Sequence, residues 1–132
     1  MTERVPAIKV LLLPKDTNAL GTIFGGVILS HIDLASAVEA RKTAPHRYVT
    51  KAIREVEFHA PVLVGDLVNF YTETRRVGRT SITIGVRVEV ERWGDAGHGE
   101  CETVTEAEVV LVAVGDDGRP IPILAEPAGA GR

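Results

Sequence analysis

The chain contains little cysteine or histidine. Cys101 is the single cysteine among 132 residues, which excludes an internal disulfide, and the four histidines are scattered. Neither a Cys-x-x-Cys nor a His-Glu-x-x-His spacing occurs, so the sequence predicts no metal site and implies no redox cofactor. Runs of about 18 apolar residues, the length that a membrane-spanning helix needs, are also missing. We therefore expect no membrane span.

A strong charge of either sign is absent as well. The formal net charge is -3 at pH 7, and 25% of the residues are charged. This balance gives no general reason to expect nucleic-acid binding, although a local basic cluster could hold a small polyanion. The N-terminal stretch lacks the basic segment, apolar core and cleavage site of a secretory signal, so we expect a cytoplasmic protein.

The length suits a single domain. A chain of 132 residues, 45% of them hydrophobic, can bury roughly two-thirds of the surface that its unfolded form exposes. No internal repeat or second domain is found in the sequence. Residues 125–132 are rich in glycine and poor in large apolar side chains, which predicts a flexible tail after a domain spanning residues 1–124.

Periodicity and turn residues predict one long helix and five strands. The helix is expected from Gly25 to Lys42, because Pro45 prevents its continuation. Stretches rich in Val, Ile and Thr predict strands at 8–13, 48–58, 66–77, 81–93 and 100–114. An antiparallel meander is the simplest pairing of the last four. Together these elements predict an α+β fold in which a curved antiparallel sheet wraps one central helix.

The central helix carries a carboxylate, Asp33, in an otherwise largely apolar sequence. Apolar residues from Val27 to Ala40 cover nearly every side of this helix, which predicts that it is buried and that a second subunit covers the part that the sheet leaves open. An ionised carboxylate in such surroundings is costly unless it is paired or hydrogen-bonded. Asp33 is therefore a candidate catalytic acid or base, and a structural, hydrogen-bonded acid is the alternative.

Several ordered motifs resemble the hot-dog-fold acyl-CoA thioesterases, specifically the bacterial short-to-medium-chain acyl-CoA hydrolases. The resemblance covers nearly the whole chain and depends on the order and spacing of the motifs together. They are Pro14-Lys15-Asp16-Thr17-Asn18 with Gly21, Ile23-Phe24-Gly25-Gly26, Ser30, Ile32-Asp33, Phe58-His59, Pro61-Val62, Gly65-Asp66 and Val77-Gly78-Arg79-Thr80-Ser81.

The resemblance implies a fold, an assembly and an activity. The fold is a hot-dog fold, which forms dimers that assemble further, as a trimer of dimers, into hexamers. The activity is hydrolysis of acyl-CoA to a carboxylic acid and coenzyme A, with no separate cofactor. The resemblance assigns Asp33 as the catalytic carboxylate, Asn18 as a polar residue from the opposing subunit, and Gly25 or Gly26 as a backbone N–H donor to the thioester carbonyl.

The expected helix geometry fits parts of this assignment. A helix start exposes free N–H groups and positive potential, which suits a developing oxyanion at Gly25 and Gly26. Asp33 follows Gly26 by two turns on roughly one face, about 10 Å along the axis, and we expect a bound acyl thioester to bridge that gap. Some relatives have a hydroxyl residue one turn after the carboxylate, where this chain has Ala37. We therefore expect Ser30 or Asn18 to provide the supporting contact to Asp33 instead.

The resemblance also indicates where coenzyme A binds. The predicted turn at Arg79, Thr80 and Ser81 offers a cation, two hydroxyls and turn backbone for phosphate or adenine contact, and Arg75 and Arg76 stand nearby. An ordinary solvated turn is the alternative.

Other interpretations stay open for the remaining polar residues and for the function. Asn18 also suits a turn, His31 a structural or interface position, and His59 a hydrogen-bonded loop. A non-catalytic acyl-CoA-binding module or sensor on the same fold is the second functional hypothesis. A dehydratase is the third, and it is disfavoured because that chemistry usually needs a catalytic histidine with the acid, and no histidine replaces Asp33 or is suitably placed in the helix.

Overall fold

The computed structural model describes residues 4–94 and 97–124, so the predicted tail at 125–132 lies outside the described residues. The chain forms five strands and one long helix in this part. They are β1 (Ile8–Leu11), α1 (Gly25–Thr43), β2 (Arg47–Phe58), β3 (Leu67–Val77), β4 (Ser81–Arg92) and β5 (Glu100–Val114). A single 3-10 turn, Pro14–Asp16, lies between β1 and α1.

The predicted helix is confirmed with its start at Gly25. It ends at Thr43, because Ala44 adopts an extended conformation and Pro45 follows. Arg41 and Lys42 occupy the last turn, where cations offset the negative end of the helix dipole. No helix in the described residues is long and apolar enough to cross a membrane.

The strands form one antiparallel sheet in the order β1-β3-β4-β5-β2. The predicted meander is confirmed for β3, β4 and β5 but wrong for β2, which pairs with β5 at the edge of the sheet and not with β3. The connection between Phe58 and Leu67 therefore carries the chain from one edge across β5 and β4. In this arrangement the other edge of β2 pairs with no strand of residues 4–94 and 97–124.

The core lies between α1 and the inner face of the sheet. Alternating residues of β4, from Ile82 to Val90, are buried against buried residues of the helix, which are Ile28, Ile32, Ala35, Ser36 and Ala40. The opposite side of the helix is open, since Leu34 is 58% exposed and Val38 41% exposed. One sheet covers only one side of the helix, so the uncovered part that the sequence predicts is present in a single chain.

Candidate active site

Asp33 sits at the border between the buried and the open side of α1, and it is half-buried. Thr50 on β2 donates a hydrogen bond from its Oγ1 to the Asp33 Oδ1, at 2.5 Å. Among the described residues no other hydrogen bond reaches the carboxylate, so Oδ2 is free to meet a substrate or water. The arrangement holds one oxygen of a carboxylate and leaves the other available.

The expectation that Asp33 contacts Ser30 of its own chain is wrong. The Ser30 hydroxyl donates to the Val27 carbonyl at 2.8 Å, because a helical serine finds a backbone acceptor one turn back. Asn18 bonds within its own loop. Thr50 was missed because nothing in the sequence pairs a threonine of a strand with a helix residue; only the sheet register brings the two together.

The start of α1 presents free backbone donors at Gly25 and Gly26. Phe24, the residue before the helix, makes no side-chain cap, and the first intrahelical acceptor is its carbonyl, which receives the N–H of Val27 at 3.0 Å. Within the described residues no hydrogen bond uses the N–H of Gly25 or Gly26. A Cβ at Gly26 would meet no atom within 4 Å, so the space beside its Cα is open. These amides can donate to an oxyanion at the positive end of the helix.

Gly25 also has a packing role. A Cβ at this position would lie 3.4 Å from the ring of Phe58, the last residue of β2. The glycine therefore lets the aromatic ring pack against the first turn of the helix. The two roles of Gly25 are compatible, because its N–H can donate a hydrogen bond while its Cα packs against the ring of Phe58.

The free amides and Asp33 of one chain do not reach the same carbonyl group. Seven residues separate Gly26 from Asp33, a rise of about 10 Å, and helix N–H groups point towards the N-terminus, away from Asp33. Reacting atoms need to lie about 3 to 3.5 Å apart, with the oxyanion donors about 3 Å from the oxygen. The expectation that one thioester bridges Gly26 and Asp33 of a single chain does not fit this geometry.

Asn18 is fixed by its own loop. Its Oδ1 accepts the N–H groups of Leu20 at 2.8 Å and Thr22 at 3.2 Å, and its Nδ2 donates to the Thr22 hydroxyl at 2.9 Å. The turn-forming interpretation of Asn18 is confirmed by these bonds. An amide nitrogen has two hydrogens, and the second finds no acceptor among the described residues, so a functional role is compatible with the turn.

The predicted coenzyme A turn joins β3 to β4. Its backbone is held by bonds from the Gly78 N–H to the Ser81 carbonyl at 2.7 Å and from the Ala113 N–H to the Thr80 carbonyl at 2.9 Å. The Arg79 side chain is exposed, and it has no ion pair within the described residues. An ordered turn with an exposed guanidinium is suited to a phosphate.

The turn lies nearer to Asp33 than to the helix start of the same chain. The register places Ile82, just after the turn, opposite Leu111, which in turn pairs with Thr50. The strand position next to the helix start is Val88, six residues and about 20 Å further along β4. Arg79, Thr80 and Ser81 therefore belong to the Asp33 end of the sheet.

Arg75 is engaged on the outer face of the sheet. Its guanidinium donates to Glu73 and Glu108, each at 3.2 Å, and the hydrogen bond with Glu73 is the main reason why the pKa of Arg75 is raised. The guanidinium also crosses Gly85, where a side chain would collide with it. These bonds leave Arg79 as the better candidate for a ligand phosphate.

The two histidines near these elements have structural partners. His31 contacts the Val27 carbonyl through Nδ1 at 2.9 Å and stacks on Phe70 with ring centres 5.5 Å apart, which confirms the structural interpretation. His59 Nε2 lies 3.0 Å from Glu106, and this hydrogen bond is the main reason why the pKa of Glu106 is lowered. His59 is thus a hydrogen-bonded loop residue, as predicted. The described residues contain no cluster of three or more metal-ligating side chains.

A cleft of about 370 Å³ opens beside the helix start. It lies between the first turns of α1, the end of β2 with the segment that follows it, and Thr105 of β5. Its lining residues are Ile23, Gly25, Ile28, Phe58, His59, Ala60, Pro61, Val62 and Thr105. The cleft is mostly apolar and adjoins the free amides, so a carbonyl group bound there would direct its substituent towards apolar walls.

Comparison with known proteins is consistent with this geometry. The profile of the family described as the thioesterase superfamily matches residues 20–93. An acyl-CoA thioester hydrolase of Haemophilus influenzae, itself uncharacterised, is 42% identical over 112 residues, which are 85% of this chain and 73% of that protein.

Two solved structures are also similar. The crystal structure of Cj0915, a hexameric hotdog fold thioesterase of Campylobacter jejuni, has a TM-score of 0.86 and 44% identity, covering 90% of each chain. That of HI0827, a hexameric broad specificity acyl-coenzyme A thioesterase, has a TM-score of 0.86 and 40% identity, covering 96% of this chain and 85% of the other.

Proposed function

The chain belongs to the thioesterase superfamily and has the hot-dog fold predicted from its motifs, and we propose that it hydrolyses acyl-CoA to a carboxylic acid and coenzyme A. The observation that carries the proposal is the Asp33 carboxylate, held at one oxygen by Thr50. Solved relatives that resemble this chain over most of their length are acyl-coenzyme A thioesterases. A water molecule or the carboxylate itself is the nucleophile that such a site can supply.

The reaction site is shared between two copies of the chain. Asp33 and Thr50 come from one copy, and the Gly25 and Gly26 amides come from the other. This assignment is supported by the direction of the amides, which point off the helix start and away from Asp33 of their own chain. Asn18 precedes the same helix start and accompanies the amides of the partner copy.

Uncovered apolar surface next to Asp33 supports pairing at this position. Leu34 and Val38 of α1 are 58% and 41% exposed, and Val49 of the edge strand is 51% exposed. An open strand edge with apolar neighbours is a template for pairing with a second copy. The homo-oligomer is a dimer that assembles into a trimer of dimers, in line with the hexameric relatives.

Hydrolysis by a general base follows from the free oxygen of Asp33. Asp33 takes a proton as water adds to the thioester carbon, and the glycine amides stabilise the charge on the carbonyl oxygen. The tetrahedral intermediate then expels the sulfur, which regains a proton to give the thiol. Direct attack by Asp33 uses the same geometry, forms an anhydride with release of the thiol, and ends when water hydrolyses the anhydride.

The nucleotide part of coenzyme A binds at Arg79, Thr80 and Ser81. The exposed guanidinium of Arg79 pairs with a phosphate, and the hydroxyls of Thr80 and Ser81 donate to phosphate or ribose oxygens. The turn lies at the Asp33 end of the sheet, so one chain supplies both the carboxylate and the binding site for the coenzyme A leaving group. No metal or separate cofactor takes part in the proposed mechanism.

Replacement of Asp33 by Asn tests the proposal, because Asn keeps the shape of the side chain and removes its basicity. We expect kcat for acyl-CoA hydrolysis, followed by thiol release, to fall by about 10²- to 10⁴-fold, the usual contribution of a general base. Melting temperature and oligomer size are the controls for folding. A folded Asp33→Asn variant that hydrolyses acyl-CoA as fast as the parent would show that the assignment is wrong.

A further inference from the structure

The cleft beside the helix start adjoins the proposed oxyanion donors, and the inference drawn from it rests on the proposed hydrolase function. Gly25 lines the cleft and also carries one of the free amides. A thioester oxygen bound by this amide places the attached acyl chain at the mouth of the cleft. The apolar walls, which include Ile23, Ile28 and Val62, suit a hydrocarbon chain.

Phe58 and Thr105 face each other in this cleft from neighbouring strands. They are cross-strand partners in the register of β2 and β5, and Thr105 also pairs with the buried Val88 of β4. Directly opposed residues point to the same side of a sheet, so all three lie on the inner face beneath α1. The ring of Phe58 lies against Gly25 and forms one wall of the cleft.

Thr105 brings an unsatisfied polar group to this apolar lining. The residue is 1% exposed, and its hydroxyl has no hydrogen-bond partner in residues 4–94 and 97–124. A buried hydroxyl without a partner destabilises the folded state, and valine would fill the same volume without that cost. Rotation about the Cα–Cβ bond by one staggered step changes the direction of the hydroxyl, and because Thr105 lines the cleft, the hydroxyl can turn towards a ligand there.

We propose that this cleft binds the acyl group and that the Thr105 hydroxyl selects acyl chains that carry an oxygen substituent. A threonine hydroxyl both donates and accepts, so hydroxyl and oxo groups on the chain are equally suitable partners. The substrate class is therefore a hydroxyacyl-CoA or oxoacyl-CoA. Unsubstituted chains of the same length bind to the same walls but leave the hydroxyl without a partner.

The test compares two substrates that differ by one oxygen atom, butyryl-CoA and 3-hydroxybutyryl-CoA. For each enzyme, kcat/KM is measured for both substrates by thiol release. The readout is the ratio of kcat/KM for 3-hydroxybutyryl-CoA to kcat/KM for butyryl-CoA. We expect Thr105→Val to reduce this preference for 3-hydroxybutyryl-CoA by about 10- to 100-fold, because the substrate hydroxyl loses its buried hydrogen-bond partner. Thr105→Ser restores the hydroxyl and is expected to restore most of the ratio.

Thr103→Val is the matched control, since Thr103 lies on the same strand but does not line the cleft. An unchanged ratio in Thr105→Val, whatever its melting temperature, would overturn the proposal and leave Thr105 a structural residue. A ratio that falls equally in the Thr103 control would overturn it as well. If the wild-type chain hydrolysed neither substrate nor any other acyl-CoA, the proposed function itself would fail, and that outcome is distinct from an unchanged ratio.

Discussion

Thr50 and Asp33 are joined by a hydrogen bond of 2.5 Å although 17 residues separate them in the chain. Thr50 lies beside a shift in the pairing register of β2, between Thr50 and Ala52. Register shifts of this kind change the direction in which side chains point, and here the Thr50 side chain faces the helix. The bond couples the candidate catalytic residue to the edge strand on which we expect a second copy to pair.

Removal of the Thr50 hydroxyl tests whether it positions Asp33. Thr50→Val keeps the shape of the side chain but donates no hydrogen bond, so the carboxylate is less well oriented. We expect kcat to fall about 10- to 100-fold while KM changes little, measured by steady-state kinetics. Thr50→Ser keeps the donor and should retain most of the activity. Equal losses in both variants would contradict a role for the hydrogen bond.

Mixing of two inactive variants tests the shared site. Asp33→Asn and Asn18→Ala chains, co-expressed and purified as mixed oligomers, form dimers in which one of the two sites receives an intact Asp33 and an intact Asn18. Random pairing makes half of the dimers mixed, so we expect about a quarter of the wild-type activity. Each variant alone is the control. Activity no higher than that of the single variants would argue that both residues act within one chain.

Arg79 is predicted to bind coenzyme A through a phosphate. Arg79→Ala should raise KM for an acyl-CoA about tenfold, because an exposed charge-assisted contact is lost, and should leave kcat nearly unchanged. The same acyl group on pantetheine, which lacks the nucleotide, should be hydrolysed equally well by variant and parent. Arg76→Ala is the matched control for a general loss of positive charge. A KM effect that persists with the pantetheine substrate would exclude the phosphate contact.

The pair between Arg4 and Glu89 predicts a pH dependence of stability. Arg4 donates two hydrogen bonds of 2.9 Å to a carboxylate that is 11% exposed, and these bonds lower the pKa of Glu89 below its usual value of 4.5. A carboxyl whose pKa is lower in the folded state stabilises the fold above its unfolded pKa. That contribution is lost as the pH falls through the folded pKa.

Arg4→Met should therefore lower the melting temperature at pH 7 and reduce the further fall between pH 6 and pH 3. Thermal unfolding at a series of pH values measures both effects. Arg47→Met is the control, because its ion pair with Asp116 is exposed on both sides, at 69% and 95%, and should matter little. A pH profile of Arg4→Met parallel to that of the parent would contradict the assignment.

Local signals in the sequence predict most of the secondary structure. The helix start at Gly25 and the strand limits at Ser81, Glu100 and Val114 coincide with the predicted positions. Glycine, proline and turn residues act over a few neighbours, so their effect is readable without the fold. The family motifs add the fold itself, which the comparisons confirm.

The position of β2 and the surroundings of Asp33 depend on contacts between distant segments. Sequence order favours pairing β2 with β3, but β2 pairs with β5 at the edge of the sheet. Thr50 reaches Asp33 only in that register. The expected partner Ser30, close in sequence, is instead occupied by the helix backbone.

The sequence by itself determined the long helix, the carboxylate within it, the glycines at its start and the family to which they point. Only the tertiary structure decided which hydroxyl holds Asp33 and that the free amides point away from it. It also decided that Thr105 lies buried in the cleft beside them, with no hydrogen-bond partner for its hydroxyl in the part of the chain that the structure describes. The physical reason is the separation along the chain over which each effect acts. Capping and turn preferences act between near neighbours, whereas strand register and burial are set by the packing of the whole sheet against the helix.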